Sequence, residues 1–239
     1  ERGQTSLYDL TPEQIERISN FRGYGIPSAK FWFVGMEEGG VPSNEELQIR
    51  ADKFSRFEDL AKSHENFKSH NMRKSVPTWR IMSAIVGRIN GNRDWWDLES
   101  TRDYQSRYLG RPGGETFLTE VLPMPKKAIS EWPYENLLGT PNEYLETVQD
   151  SRLQLLRNDY SESSPKPEYI FCYGKEFWGK HVSVFDGINF ESELEGSVQW
   201  GIYESSVVIQ TKMFGYGWHG FNEEFVNNVC ELALSKRSA

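Results

Sequence analysis

Two adjacent carboxylates, Glu37 and Glu38, close the stretch Lys30-Phe31-Trp32-Phe33-Val34-Gly35-Met36-Glu37-Glu38-Gly39-Gly40, where an apolar run stops at glycines on both sides of the acids. Carboxylates fixed in a cleft can orient water, stabilise a developing cation or ligate a hard metal ion. The run ending at Val34 is too short for a helix and rich in aromatic and β-branched types, so it predicts a buried strand over 30–34. Gly35, Gly39 and Gly40 allow the close backbone approach that a turn against a ligand requires. Open α/β sheets bind ligands at the carboxyl ends of their strands, which is where Gly35, Met36, Glu37, Glu38 and Gly39 fall. A solvated turn ahead of a helix N-terminus, where negative charge is favoured, accounts for the two glutamates equally well.

The elements that must position this turn are marked by local signals. Thr11-Pro12-Glu13-Gln14, Ser43-Asn44-Glu45-Glu46 and Thr140-Pro141-Asn142-Glu143 are capping boxes, predicting helices to about Asn20, through Leu47, Ile49 and Phe54, and to about Asn158. Apolar residues at Trp79, Met82, Ile85, Val86 and Ile89 predict a helix over 77–89, stopped by Asn90-Gly91-Asn92. Trp95, Trp96 and Leu98 read as the anchor of a loop that closes at Arg111-Pro112-Gly113-Gly114. Further strands are expected at 116–122, 168–174, 197–203 and 205–211, a short helix at 175–181, and a final helix over 221–234 with Phe225, Val229, Leu232 and Ala233 inward. Strands alternating with helices argue for an α/β fold, a three-layer α/β/α sandwich with a mainly parallel central sheet, because parallel neighbours need crossover connections.

The 239 residues suit a single domain over 1–239, with 1–27 as an N-terminal helical extension. A mean hydropathy of −0.65 and the lack of any apolar run of membrane-spanning length argue for a soluble protein without membrane association. No signal peptide pattern opens the chain, whose first residue, Glu1, suggests a trimmed amino terminus. Cys172 and Cys230 sit in apolar patterns and read as reduced core residues of a cytoplasmic protein; two cysteines are too few for a four-thiolate iron-sulfur cluster, and no cofactor is expected. A net charge of −8 gives no long-range attraction for polyanions, so nucleic-acid binding needs a local basic face. Lys62, Lys68, Arg73, Lys74 and Arg80, interleaved with His64, His70 and Trp79, are either that face or a solvated helical hairpin.

The order of motifs resembles the uracil-DNA glycosylase-like superfamily over roughly residues 28–235. The matching segments are Gly35-Met36-Glu37-Glu38-Gly39, Phe117-Leu118-Thr119-Glu120-Val121-Leu122-Pro123, Pro167-Glu168-Tyr169-Ile170-Phe171-Cys172-Tyr173-Gly174-Lys175 and Thr211-Lys212-Met213-Phe214-Gly215. That family carries a glycine with an acid or amide after its first strand, a base-reading Asn after the second, a strand ending in glycine and a His-Pro-Ser loop near its end. The resemblance implies DNA base excision, with Glu37, or Glu38 one residue along, holding water against the anomeric carbon. Met36, Trp32 or Phe117 would lie near the base pocket, though each also serves as core. Glu120 stands in place of the base-reading Asn; an ionised glutamate offers acceptors only, which suits a donor-rich edge such as guanine or a protonated base, and the expected base is not simply uracil. The last motif lacks the His-Pro-Ser order, but His219 can assist the leaving base, and Tyr216 and Trp218 can stack or wedge in a loop made compact by Gly215, Gly217 and Gly220.

Two other functions fit the same residues. One is a domain that binds a nucleotide or modified base, with DNA or a nucleotide as partner, without cleaving it. The other is a metal-dependent phosphoryl-transfer enzyme with Glu37, Glu38 and Glu120 around Mg²⁺, which needs a sharp turn to aim adjacent glutamates at one ion. A dinucleotide or triphosphate site fits poorly: the glycine turn lacks G-x-G-x-x-G and the P-loop Lys-Ser/Thr, and its two carboxylates repel phosphate.

Overall fold

The computed structural model describes residues 8–40, 42–67, 71–74, 76–126, 131–215 and 221–237. The chain runs α1 (Pro12–Asn20), β1 (Gly23–Tyr24), β2 (Phe31–Gly35), α2 (Asn44–Lys53), β3 (Phe57–Glu58), α3 (Leu60–Glu65), α4 (Pro77–Ile89), α5 (Leu98–Arg107) and β4 (Thr116–Glu120). It continues through α6 (Glu135–Leu138), α7 (Pro141–Glu162), β5 (Tyr169–Tyr173), α8 (Trp178–Val184), β6 (Glu191–Glu193), β7 (Val198–Tyr203), β8 (Ser206–Thr211) and α9 (Glu223–Arg237). All three capping boxes form: Thr11 with Gln14, Ser43 with Glu46 and Thr140 with Glu143 each satisfy two orphan N–H groups at the start of α1, α2 and α7.

The strands make one mixed, mostly parallel sheet of eight in the order β3-β1-β4-β2-β5-β8-β7-β6. Its centre, β4-β2-β5-β8, is parallel throughout, whereas β1 runs antiparallel to β4, and β7 and β6 close the far side as antiparallel strands. A strand covered on both faces needs a continuous apolar run rather than alternation, and β2 is that strand. Trp32 and Val34 point into one core with Ile18, Leu47, Leu153 and Tyr160 of α1, α2 and α7. Phe31 and Phe33 point into the other with Ile81, Ile85, Val226 and Cys230 of α4 and α9.

The strand order also fixes where a ligand belongs. From β2 the chain leads to β4 on one side, and from β5 it leads to β8 on the other. The loops leaving the carboxyl ends of neighbouring β2 and β5 therefore diverge, opening a crevice between them.

Several expectations change. The segment after Trp96 holds α5, not only a loop: Asp97 caps it by accepting from Ser100 N–H, and its buried positions are the polar Thr101 and Gln105, so no apolar stripe announces it. Helix α7 continues beyond Asn158 to Glu162. In α9 the buried line is Val226, Val229, Cys230 and Ala233, with Phe225 and Leu232 only partly covered. The strands β1, β3 and β6 have two or three residues each and carry no sequence period of their own. Among the described residues no helix is long and apolar enough to cross a membrane. Cys172 and Cys230 are free and buried.

Candidate functional site

The turn after β2 is held against the segment after β4 by backbone hydrogen bonds. Leu122 N–H donates to Met36 O at 2.7 Å, Lys126 N–H donates to Glu38 O at 3.0 Å, and Gly39 bridges to Lys126. A cleft of about 600 Å³ opens there, at the carboxyl ends of β2, β4 and β5, and takes Met36, Glu37, Glu38, Gly39, Glu120 and Tyr173 into its wall. That volume lies within the usual range of small-molecule sites.

Within the turn the two acids are treated differently. Both oxygens of Glu38 are taken by Arg50 of α2, at 2.7 and 2.8 Å, and the Tyr24 hydroxyl donates to the same carboxylate at 3.4 Å. The Arg50 guanidinium also packs against the paired rings of Phe54 and Phe67, 5.4 Å from each centroid. Burial opposes ionisation of Glu38, but the guanidinium overcomes it and holds the carboxyl below the usual range. Glu38 is a fixed anion with no oxygen to spare.

Glu37 keeps one oxygen free. Lys126 reaches Oε1 at 3.1 Å, while Oε2 is buried and has no partner among the described residues. Burial raises the carboxyl's pKa, with Lys126 pulling the other way. The balance leaves a positioned carboxyl on the cleft wall with one oxygen unpartnered among the described residues, a group that can serve as a general base.

Glu120 is also half-paired. The Tyr173 hydroxyl donates to Oε1 at 2.9 Å, and Oε2 is buried without a partner among the described residues. Register sets Glu120 beside Gly35, and only a glycine fits there: a Cβ on residue 35 would stand 2.0 Å from Glu120 Oε2 and 2.4 Å from the Tyr173 oxygen. Arg152 of α7 anchors the strand end by donating to Glu120 O at 2.8 Å and to Phe21 O at 2.6 Å. Burial pushes the Glu120 carboxyl up to about 8, the nearby Glu38 and Glu37 adding to the rise and the Tyr173 hydrogen bond and Arg152 opposing it. That rise favours the carboxylic-acid form, with one donor and one carbonyl oxygen, over the ionised, acceptor-only form expected from the sequence.

The remaining sequence candidates divide. Met36 and Gly39 line the cleft, and Gly35 lies under its floor. Phe117 does not reach it: its ring is fully buried in the core on the α1 and α7 side, 5.1 Å from Trp32 and 5.9 Å from Phe57, so packing is its role. Strand alternation sends Phe117 to the same face as Trp32 and away from the cleft. His219, Tyr216 and Trp218 lie outside the described residues. Within the basic stretch, His64 is buried with Nδ1 2.7 Å from Leu60 O, and Arg73 pairs with Glu99 and Asp103 at 2.8 and 3.6 Å. Lys68 and His70 lie outside the described residues. The three glutamates do not assemble as cation ligands, because Arg50 and Lys126 occupy two of them; among the described residues no group of three or more His, Cys, Asp or Glu is placed to hold a metal.

Sequence reasoning missed Arg50, Lys126, Tyr24 and Tyr173. Only Tyr173 carried a signal, as the last apolar residue before Gly174 in a strand whose carboxyl end faces the cleft. No protein-family model matches the chain, and no curated protein matches it.

Proposed function

We propose that this chain hydrolyses an N-glycosidic bond in a nucleic acid, excising a base as a divergent relative of the uracil-DNA glycosylase-like superfamily. The observation that carries the reading is the buried, unpartnered Oε2 of Glu37 in the cleft, its partner oxygen fixed by Lys126. In this reaction the bond from the anomeric carbon to the base nitrogen breaks and its electron pair leaves with the base. Water adds to the cationic carbon and passes a proton to Glu37, whose charge also stabilises the oxocarbenium-like transition state. Glu38 holds the turn in shape through Arg50 and touches no reacting atom. Glu120, a neutral acid beside Gly35, faces the base. The aromatic rings of Trp79 and Phe177 in the cleft wall offer stacking surfaces.

A second reading, recognition of a nucleotide or modified base without cleavage, rests on a cleft of about 600 Å³, the size of a small-molecule site. Incubation of the protein in EDTA with single- and double-stranded oligonucleotides carrying uracil, hypoxanthine, xanthine or undamaged bases, read by mass spectrometry of free base, separates the two. Release in EDTA supports excision. Binding with no release supports recognition alone.

A further inference from the structure

A second cavity, of about 570 Å³, lies where the last turns of α7 meet the chain entering β1 and β3, and the excision reading gives it no part. Arg22, just before β1, and Arg56, just before β3, come together there, because Arg22 N–H donates to Arg56 O at 2.8 Å. The Arg22 side chain is only 9% exposed. Its Nη1 donates to Asp159 Oδ2 of α7 at 3.2 Å, while its Nε, also buried, has no partner among the described residues. A guanidinium N–H withheld from both solvent and an acceptor is unfavourable, and a cavity of this size has room for far more than one bridging water. Arg56 and Glu162, both exposed, extend the charged wall: each acts electrostatically on Arg22 and on Asp159, so two cations and two anions share one cavity. Phe57 and Leu155 give the wall an apolar part.

We propose that this cavity is a second ligand site, which takes a free α-amino acid with an aliphatic side chain. The carboxylate of the ligand accepts from Arg22 Nε–H and pairs with Arg56, as the donor fork of a guanidinium favours. Its ammonium meets Asp159 and Glu162, and its side chain covers Phe57 and Leu155. The balance of charge in the wall is what selects a zwitterion. A simple anion is repelled by the two carboxylates and a simple cation by the two guanidiniums, so each loses part of what it gains. The site is separate from the excision cleft: among the described residues the two cavities share Arg22 alone.

Titration calorimetry on the whole chain tests this without requiring catalysis. The probes are L-leucine, isocaproate, which lacks the ammonium, and isoamylamine, which lacks the carboxylate. L-Leucine is expected to bind with a Kd below about 1 mM, and each half-molecule at least about tenfold more weakly. Arg56→Gln and Glu162→Gln alter exposed positions and leave the pair between Arg22 and Asp159 in place. Each is expected to weaken L-leucine about threefold, the scale of a partly exposed ion pair. Arg22→Lys keeps the charge and removes the Nε donor, and a loss of about tenfold or more is expected. All variants are checked for fold by circular dichroism, and if Arg22→Lys fails to fold, the two exposed variants decide. Glu37→Gln, in the other cavity, is expected to leave L-leucine binding unchanged. No binding of L-leucine, L-valine or L-alanine up to about 10 mM overturns the proposal, as do half-molecules that bind as tightly as L-leucine. Binding that Glu37→Gln weakens while Arg56→Gln and Glu162→Gln do not overturns it too, by placing the amino acid in the excision cleft.

Discussion

The two walls of the cleft use the same residue type for opposite ends. On one wall Glu38 has every oxygen satisfied, by Arg50 and Tyr24, and its charge is locked in. On the other, Glu120 and Glu37 each have one oxygen tied and one buried oxygen without a partner among the described residues. Full pairing makes a carboxylate part of the scaffold, because nothing remains for a ligand to satisfy. Half-pairing fixes orientation while leaving an unmet hydrogen-bonding need, and that need is what a ligand can fulfil. The adjacency of Glu37 and Glu38 in sequence conceals this, since a sharp turn sends one to a lysine after β4 and the other to an arginine on α2.

The largest stability effect expected is on the fully paired wall. Arg50→Ala strands the Glu38 charge and should lower unfolding free energy by about 3 kcal/mol, the low end for a broken buried pair because the Glu38 side chain is 26% exposed. Urea denaturation at pH 7 reads it; a loss below about 1 kcal/mol, the value of a surface pair, would mean the pair is not part of the scaffold. The same wall weakens in acid: the folded-state pKa of Glu38 is depressed, so its contribution is present above the ordinary carboxylate value and lost as pH falls through the folded one.

The half-paired wall has the opposite slope. Glu120 is raised to about 8, so the folded chain keeps a proton that the unfolded chain releases. That contribution is fully present below the unfolded value and is lost as pH rises towards 8. Glu120→Gln is therefore expected to stabilise the protein by on the order of 2 kcal/mol at pH 8, with the gain shrinking to nothing near pH 4. Denaturation curves that show the variant no more stable at pH 8 than at pH 4 would break the contrast between the walls.

Gly35→Ala brings a Cβ onto the Glu120 carboxyl, the end of a flexible side chain, and onto the Tyr173 hydroxyl, whose ring is stacked on Phe214. Its stability cost should be about 2–3 kcal/mol, while the displaced Glu120 carboxyl is less buried. A carboxyl ¹³C titration in the variant should then find Glu120 moved from about 8 towards the ordinary carboxylate range; an unchanged titration would separate Gly35 from the site. The smallest effect belongs to Tyr24→Phe, which removes a long, 3.4 Å hydrogen bond to an anion already paired twice, and about 0.5 kcal/mol is expected.

What the sequence made legible was local. The capping boxes at Thr11, Ser43 and Thr140 depend on residues three apart, and the run through Phe33 to Gly35 needs only its own pattern to predict a buried strand ending at a turn. Placement of Glu37 and Glu120 at one end of the sheet followed from the rule for parallel strands. Helix α5 was hidden because its buried face is Thr101 and Gln105, polar residues that break the apolar period. The partner of Glu38 was hidden because Arg50 sits twelve residues on, in a helix whose amphipathic pattern gives an arginine no special mark. The raised pKa of Glu120 was least legible of all, since it arises from β2, β4, β5 and α7 meeting around one carboxyl and no local pattern encodes that burial.

The central claim is that Glu37 reacts and Glu38 supports. Single-turnover release of free base from the best oligonucleotide substrate, compared for wild type, Glu37→Gln and Glu38→Gln and expressed per folded molecule, tests it directly. The account predicts that Glu37→Gln loses about 100-fold or more, as removal of a positioned base does, whereas Glu38→Gln, which keeps a hydrogen bond to Arg50, retains most of the rate. Equal loss in both variants, or a Glu37→Gln rate near wild type, would contradict it.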